Sequence, residues 1–208
     1  AGEMGFRVII TTNGTMLRSR QEVLLGASGL HKINVSLHAF EANDLSVPFE
    51  CYLQDCLAFG QAAQGKKIVV YRLWNSGGAD QRNEEILCAL HQAFPGPWTP
   101  GRRGTAIGDR IFLEPGDKFD WPDLTAPETP GPYFCYGLRD QLGVLWDGTV
   151  VPCCLDHDGD IALGNLFRED LGDILASPRA RAIFDGFSNN QAAESLCRRC
   201  GYATRFRK

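Results

Sequence analysis

Cys135, Cys153, Cys154, Cys197 and Cys200 fall within 66 residues, and no other feature of this chain restricts its fold as much. Two of them form Cys197-Arg-Arg-Cys200, a Cys-x-x-Cys knuckle. Between Cys135 and Cys153 lies Leu142-Gly-Val-Leu-Trp-Asp-Gly-Thr-Val-Val-Pro152, in which apolar and β-branched residues flank Asp147-Gly148. That dipeptide favours type I′ hairpin turns, so the pattern predicts a hairpin with Cys135 and Cys153 at its opposite ends. Closing the hairpin brings two thiols together, and the knuckle supplies two more. Four soft ligands so placed suit zinc or an iron–sulfur cluster. Buried structural cysteines are common singly, but five in so short a stretch argue for a metal or cluster site.

Length and composition narrow the rest. With 208 residues and 44% hydrophobic content, the chain can bury a core over one large or two small domains. A formal charge of −4 and a pI near 5.6 leave no dominant basic surface. The basic tail of Arg198, Arg199, Arg205, Arg207 and Lys208 is too short to imply nucleic acid and reads as a solvated C-terminus. No apolar run approaches membrane-spanning length, and the start lacks a signal-like pattern. The expectation is a soluble, cytoplasmic protein in a reducing compartment, with its cysteines serving a metal rather than disulfides.

The first half alternates between two periodicities. Phe6 to Gly14, Lys32 to Leu37, Lys67 to Trp74 and Arg110 to Leu113 read as strands. Met16 to Ala27, Pro48 to Ala63 and Asn83 to Phe94 read as helices, with Cys51, Cys56 and Cys88 on their buried sides. Pro95 to Gly108 reads as a Pro/Gly-rich loop. A β-α-β-α-β-α-β order predicts an α/β fold with a parallel sheet. Ligands of such sheets gather at the C-terminal strand ends, where Thr12, Asn13, Ser36, Arg72 and Asn75 fall. Each also has a plain reading: turn chemistry at Asn13-Gly14, a satisfied hydroxyl at Ser36, an ion pair at Arg72.

A proline-rich connector, Asp117 to Pro132, places the domain boundary between 1–116 and 117–208. After the hairpin, Asp156-His-Asp-Gly-Asp160 lacks the closing glutamate of a calcium loop and reads as a solvated turn, with His157 a bystander. Leu171 to Leu175 reads as a short helix. Ser177-Pro178 supplies an N-cap and first-turn proline for another. Gln191 to Leu196 reads as a last helix leading to the knuckle.

The order Cys135, Gly148, Cys153, Gly164-Asn165-Leu166, the Leu171/Ile174 helix and Cys197-x-x-Cys200 resembles the SPASM/twitch auxiliary-cluster domain of radical S-adenosylmethionine enzymes. In the first half, Thr11-Thr-Asn-Gly14 and Ile33-Asn-Val-Ser-Leu-His38 resemble the third and fourth strand ends of that family's barrel. A full SPASM domain has seven cysteines for two clusters. Without a Cys-x2-Cys-x5-Cys-x3-Cys run, this chain resembles the one-cluster twitch arrangement.

The resemblance implies a partial (β/α) barrel followed by a small α+β cluster domain. It implies an auxiliary [4Fe–4S] cluster on Cys135, Cys153, Cys197 and Cys200, with Cys154 a substitute for Cys153. It further implies an S-adenosylmethionine pocket lined by Thr12, Asn13, Ser36 and Arg72, a peptide or small-molecule substrate, and a flavodoxin- or ferredoxin-type electron donor. The family's Cys-x3-Cys-x2-Cys motif is absent from the sequence. The chain thus reads as the C-terminal portion of such an enzyme, inactive alone. Two rivals remain: a zinc-binding structural or interaction module, and a degenerate, non-catalytic member retained for peptide binding.

Overall fold

The computed structural model describes residues 1–43, 47–78, 82–102 and 104–206. The chain divides into two units, Ala1–Lys118 and Phe119–Lys208.

In the first unit, β1 (Val8–Thr12), β2 (Leu30–Ser36), β3 (Ile68–Ser76) and β6 (Ile111–Asp117) run parallel in the order β1-β2-β3-β6. The crossovers are α1 (Leu17–Gly26), α2 (Phe49–Ala63) and α3 (Asn83–Ala93). Alternation of side chains along each strand sends Ile33, Val35, Val69, Tyr71, Ile111 and Leu113 to one face. There they join Phe59, Cys56, Ile86 and Leu90 of the helices in one apolar core. Packing fits closely around Gly60: a Cβ there would stand 2.0 Å from the Tyr71 hydroxyl, which donates to Cys56 O at 2.8 Å.

Four expectations for this unit need correction. The stretch Pro95 to Gly108 is not a plain loop, because β4 (Thr99–Gly101) and β5 (Gly104–Gly108) form an antiparallel hairpin that extends the sheet beyond β6. Their Gly- and Pro-rich composition hides them, since backbone pairing to an existing sheet edge carries them instead of side-chain pattern. The sheet is therefore a six-stranded mixed one, with β1 and β4 at its edges. Third, Cys51 is exposed, and so is Cys88; only Cys56 is buried. A helix buries one stripe, and at 100° per residue both exposed thiols fall on the face away from it. Fourth, the Arg72 ion pair forms, with Glu114, but not at the surface: the Arg72 side chain is 16% exposed.

The second unit holds a small antiparallel sheet in the order β7 (Gly143–Val144), β8 (Thr149–Val151), β9 (Gly164–Asn165). Behind it come α4 (Leu171–Ala176), α5 (Pro178–Ser188) and α6 (Ser195–Arg198). Ser177 caps α5 by accepting from Ala180 N at 3.3 Å, with Pro178 in the first turn. The hairpin forms, but not through a type I′ turn. Gly148 N donates to Leu145 O at 3.0 Å and Leu145 N to Thr149 O at 2.8 Å, with Gly148 at φ 84° and Asp147 outside the positive-φ residues. This is a three-residue loop ending in a left-handed glycine. Asp147 serves it by accepting from Thr149 N.

The last helix is shorter and later than its expected start at Gln191: residues 191–194 are extended, and α6 itself carries Cys197. The acidic turn is not solvated at its first position either. Asp156 is 3% exposed and its two oxygens accept from Asp160 N and Ile161 N at 2.9 Å each, stapling the loop. Nor is the basic tail free. Arg198 and Arg199 pair with Glu128, and Arg199 Nε donates to Ala126 O at 2.8 Å. The proline-rich connector is thereby tied to the knuckle. Arg205 lies over the rings of Phe119 and Tyr202, while Arg207 and Lys208 lie outside the described residues.

Candidate metal centre

Cys135, Cys153, Cys197 and Cys200 line one cavity of the second unit. Three local arrangements bring them there. Thr129 N and its hydroxyl donate to Arg198 O at 2.8 and 3.0 Å, and Tyr133 N donates to Asn190 O at 2.9 Å, so the chain into Cys135 runs beside the knuckle. Leu138, in a left-handed conformation at φ 57°, donates its N–H to Gln141 O and Pro152 O at 2.8 and 3.3 Å. That clamp holds the turn after Cys135 against the strand end before Cys153. The single helical turn of α6 then separates Cys197 and Cys200 by three residues, placing both on one side.

Apolar residues complete the wall, among them Ile161, Phe187 and Leu196, which belong to the unit's core. Burial therefore pushes the thiols of Cys135, Cys153 and Cys200 up, and that of Cys197 further. Neighbouring thiols act in the same direction on each. As neutral thiols the four are at home in this apolar pocket, and as thiolates they would need a cation between them. Cys154 is exposed and lies outside the lining, so the geometry favours Cys153 at this place. His157 is exposed, its Nε2 3.4 Å from Asp158.

Among the described residues, no group of three or more His, Cys, Asp or Glu could hold a single metal ion. One zinc ion draws every sulfur to about 2.3 Å from a common point, whereas a cluster gives each thiolate its own iron. The donor set, four thiols on one cavity, fits an iron–sulfur cluster.

The strand-end residues of the first unit do not form one cluster. Ser36, Arg72 and Glu114 are in register across β2, β3 and β6. Arg72 Nε is 3.4 Å from Glu114, and its guanidinium lies 4.3 Å over the Trp74 ring. Thr12 pairs in register with Val35 and so faces the helices, where it borders a groove with Leu17 and Ile33. Its hydroxyl accepts from Gly14 N at 3.1 Å. Asn13 holds the following turn by accepting from Thr15 and also meets Asn43. Gly14 is required there: at φ 89°, a Cβ would stand 2.7 Å from Cys56 Sγ. Asn75 is buried and exchanges amide hydrogen bonds with Asn83 at 2.8 and 2.9 Å.

Sequence reasoning missed Asn34. Its side chain, on the face shared by Ser36, is 3% exposed and donates to Thr11 Oγ1 at 3.1 Å, while Oδ1 has no partner among the described residues. An asparagine two positions before Ser36 in a strand of Ile, Val and Leu was the available signal.

Residues 135–201 match the family model SPASM, described as an iron-sulfur cluster-binding domain. The second unit thus carries a SPASM-type domain, and an iron–sulfur cofactor is the one its family binds. No curated protein and no solved structure matches the chain. Among the described residues, no helix is long and apolar enough to cross a membrane.

Proposed function

We propose that Cys135, Cys153, Cys197 and Cys200 hold one auxiliary [4Fe–4S] cluster, and that the chain is part of a radical S-adenosylmethionine enzyme. One observation carries this reading: four thiols from three separate segments line a single apolar cavity inside the SPASM-matched stretch. When bound, the cluster supplies a one-electron store. The protein's part is to supply thiolates, to exclude water with Ile161, Phe187 and Leu196, and to fix the knuckle through Arg198 and Arg199 on Glu128.

The finer reading extends to the first unit. The parallel strands β1, β2, β3 and β6 are the barrel portion, and their C-terminal ends hold the cofactor's amino-acid end. Ser36 and Arg72 share a face and suit that task together. Thr12 and Asn13 shape the adjacent turn. The substrate is a peptide or small molecule, and the electron donor a flavodoxin or ferredoxin.

Anaerobic reconstitution with iron and sulfide tests the centre. About four irons per chain with visible thiolate-to-iron absorbance, both lost in the Cys197→Ser/Cys200→Ser variant, is the expected result. A colourless chain binding one zinc through the same cysteines would overturn it and leave a structural zinc module.

A further inference from the structure

The four thiols differ in what their own backbone offers them. After Cys135 the chain turns back and points an N–H group at the sulfur. Gly137 N donates to Cys135 Sγ at 3.5 Å, with the Tyr136 amide beside it. After Cys153 the Asp156 amide donates instead to Cys153 O at 3.3 Å. Cys197 differs because it sits within α6. The amides that follow it, of Arg198, Arg199 and Cys200, are spent on Glu194 O, Leu196 O and Cys197 O at 3.3, 3.0 and 3.4 Å. Among the described residues, no backbone amide serves its sulfur, which is surrounded by apolar groups and the other thiols.

An N–H bonded to a thiolate draws electron density from the sulfur and favours the more negative, reduced state of an attached cluster. We propose that the Gly137 amide on Cys135 raises the reduction potential of the cluster bound here, with Cys197 a more strongly donating ligand than Cys135. The inference rests on the cluster reading above. It assigns Gly137 a positioning role that its lack of a side chain conceals. The Gly137 amide is committed to Cys135, and the next residue, Leu138, is held separately by Gln141 and Pro152. A Cβ at 137 would come no closer than 3.4 Å to Pro152 O, so alanine fits and keeps the N–H. Proline removes it.

The experiment is a mediator titration of the reconstituted chain and of its Gly137→Pro and Gly137→Ala variants, each with iron counted. In Gly137→Pro the potential is expected to fall, so that at the wild-type midpoint the reduced-to-oxidised ratio drops at least threefold. A tenfold drop would correspond to about 59 mV for one electron. Gly137→Ala should titrate with the wild type. A fully loaded proline variant at the wild-type potential overturns the inference and leaves the cluster reading intact. A chain that takes up no iron overturns both. Should the proline variant not hold iron, electron–nuclear spectroscopy of the reduced wild type after exchange into deuterated water decides. A coupled deuteron from the Gly137 amide is expected, and its absence overturns the proposal.

Discussion

The two units solve the problem of stability in different ways. In the first, an apolar core runs from Leu17 to Leu113 between a sheet face and three helices. In the second, the core cluster is Ile161, Ile183, Phe187, Ala192 and Leu196, with Cys135 and Cys197 packed against it. The remainder is held by short strands, arginine pairs and edge-to-face rings such as Phe119 with Tyr202. So small a core supplies little net stability. On the proposed reading, the thiols packed against it make metal binding part of the folding of that unit, whereas the first unit folds on burial of apolar surface.

The largest effect expected from that contrast is at the cysteines. Cys197→Ser/Cys200→Ser should leave residues 119–208 open to limited proteolysis while residues 1–118 resist it. Equal resistance of both parts would show that the second unit stands without its ligands. Because burial raises all four thiols, loading must displace protons, and iron retention under chelator challenge should rise with pH.

In the first unit, Phe59→Ala should cost about 3–5 kcal/mol in chemical denaturation, since Phe59 is fully buried. Iron content should be unchanged; a parallel loss of iron would break the separation drawn between the units.

The same core carries a pH signature. Burial pushes the Cys56 thiol up to about 12 from 9.0. The unfolded chain therefore releases this proton first, so the stability contributed is complete below about pH 9 and is lost as pH rises toward 12. Denaturation midpoints followed across that window should fall, and less steeply in Cys56→Val.

The smallest change runs the other way. Asn34→Leu removes a buried acceptor without a partner among the described residues and should raise the stability of the first unit by about 1–3 kcal/mol. A lower melting temperature would mean that its bond to Thr11 Oγ1 outweighs the unpaired oxygen.

Much of this was legible from residue order. Period-two and period-3.6 patterns located β1, β2, β3, β6 and the three helices between them, because each buries one face and its sequence must say which. Ser177-Pro178 announced α5, since capping is a local interaction. Cysteine spacing announced a centre, since thiolates cluster for few other reasons.

What the order of residues left open depended on partners distant in the chain. Extended backbone at 99–101 and 104–108 becomes strand only because β6 offers a free edge. Cys51 and Cys88 look as apolar as Cys56 until the helices choose which stripe to bury. Arg198 and Arg199 read as a solvated tail until Glu128, some 70 residues away, meets them. Which of Cys153 and Cys154 faces the cavity also turned on the β8 register and the Leu138 clamp. Pattern records what each residue prefers, and folding alone supplies the neighbour against which that preference is spent.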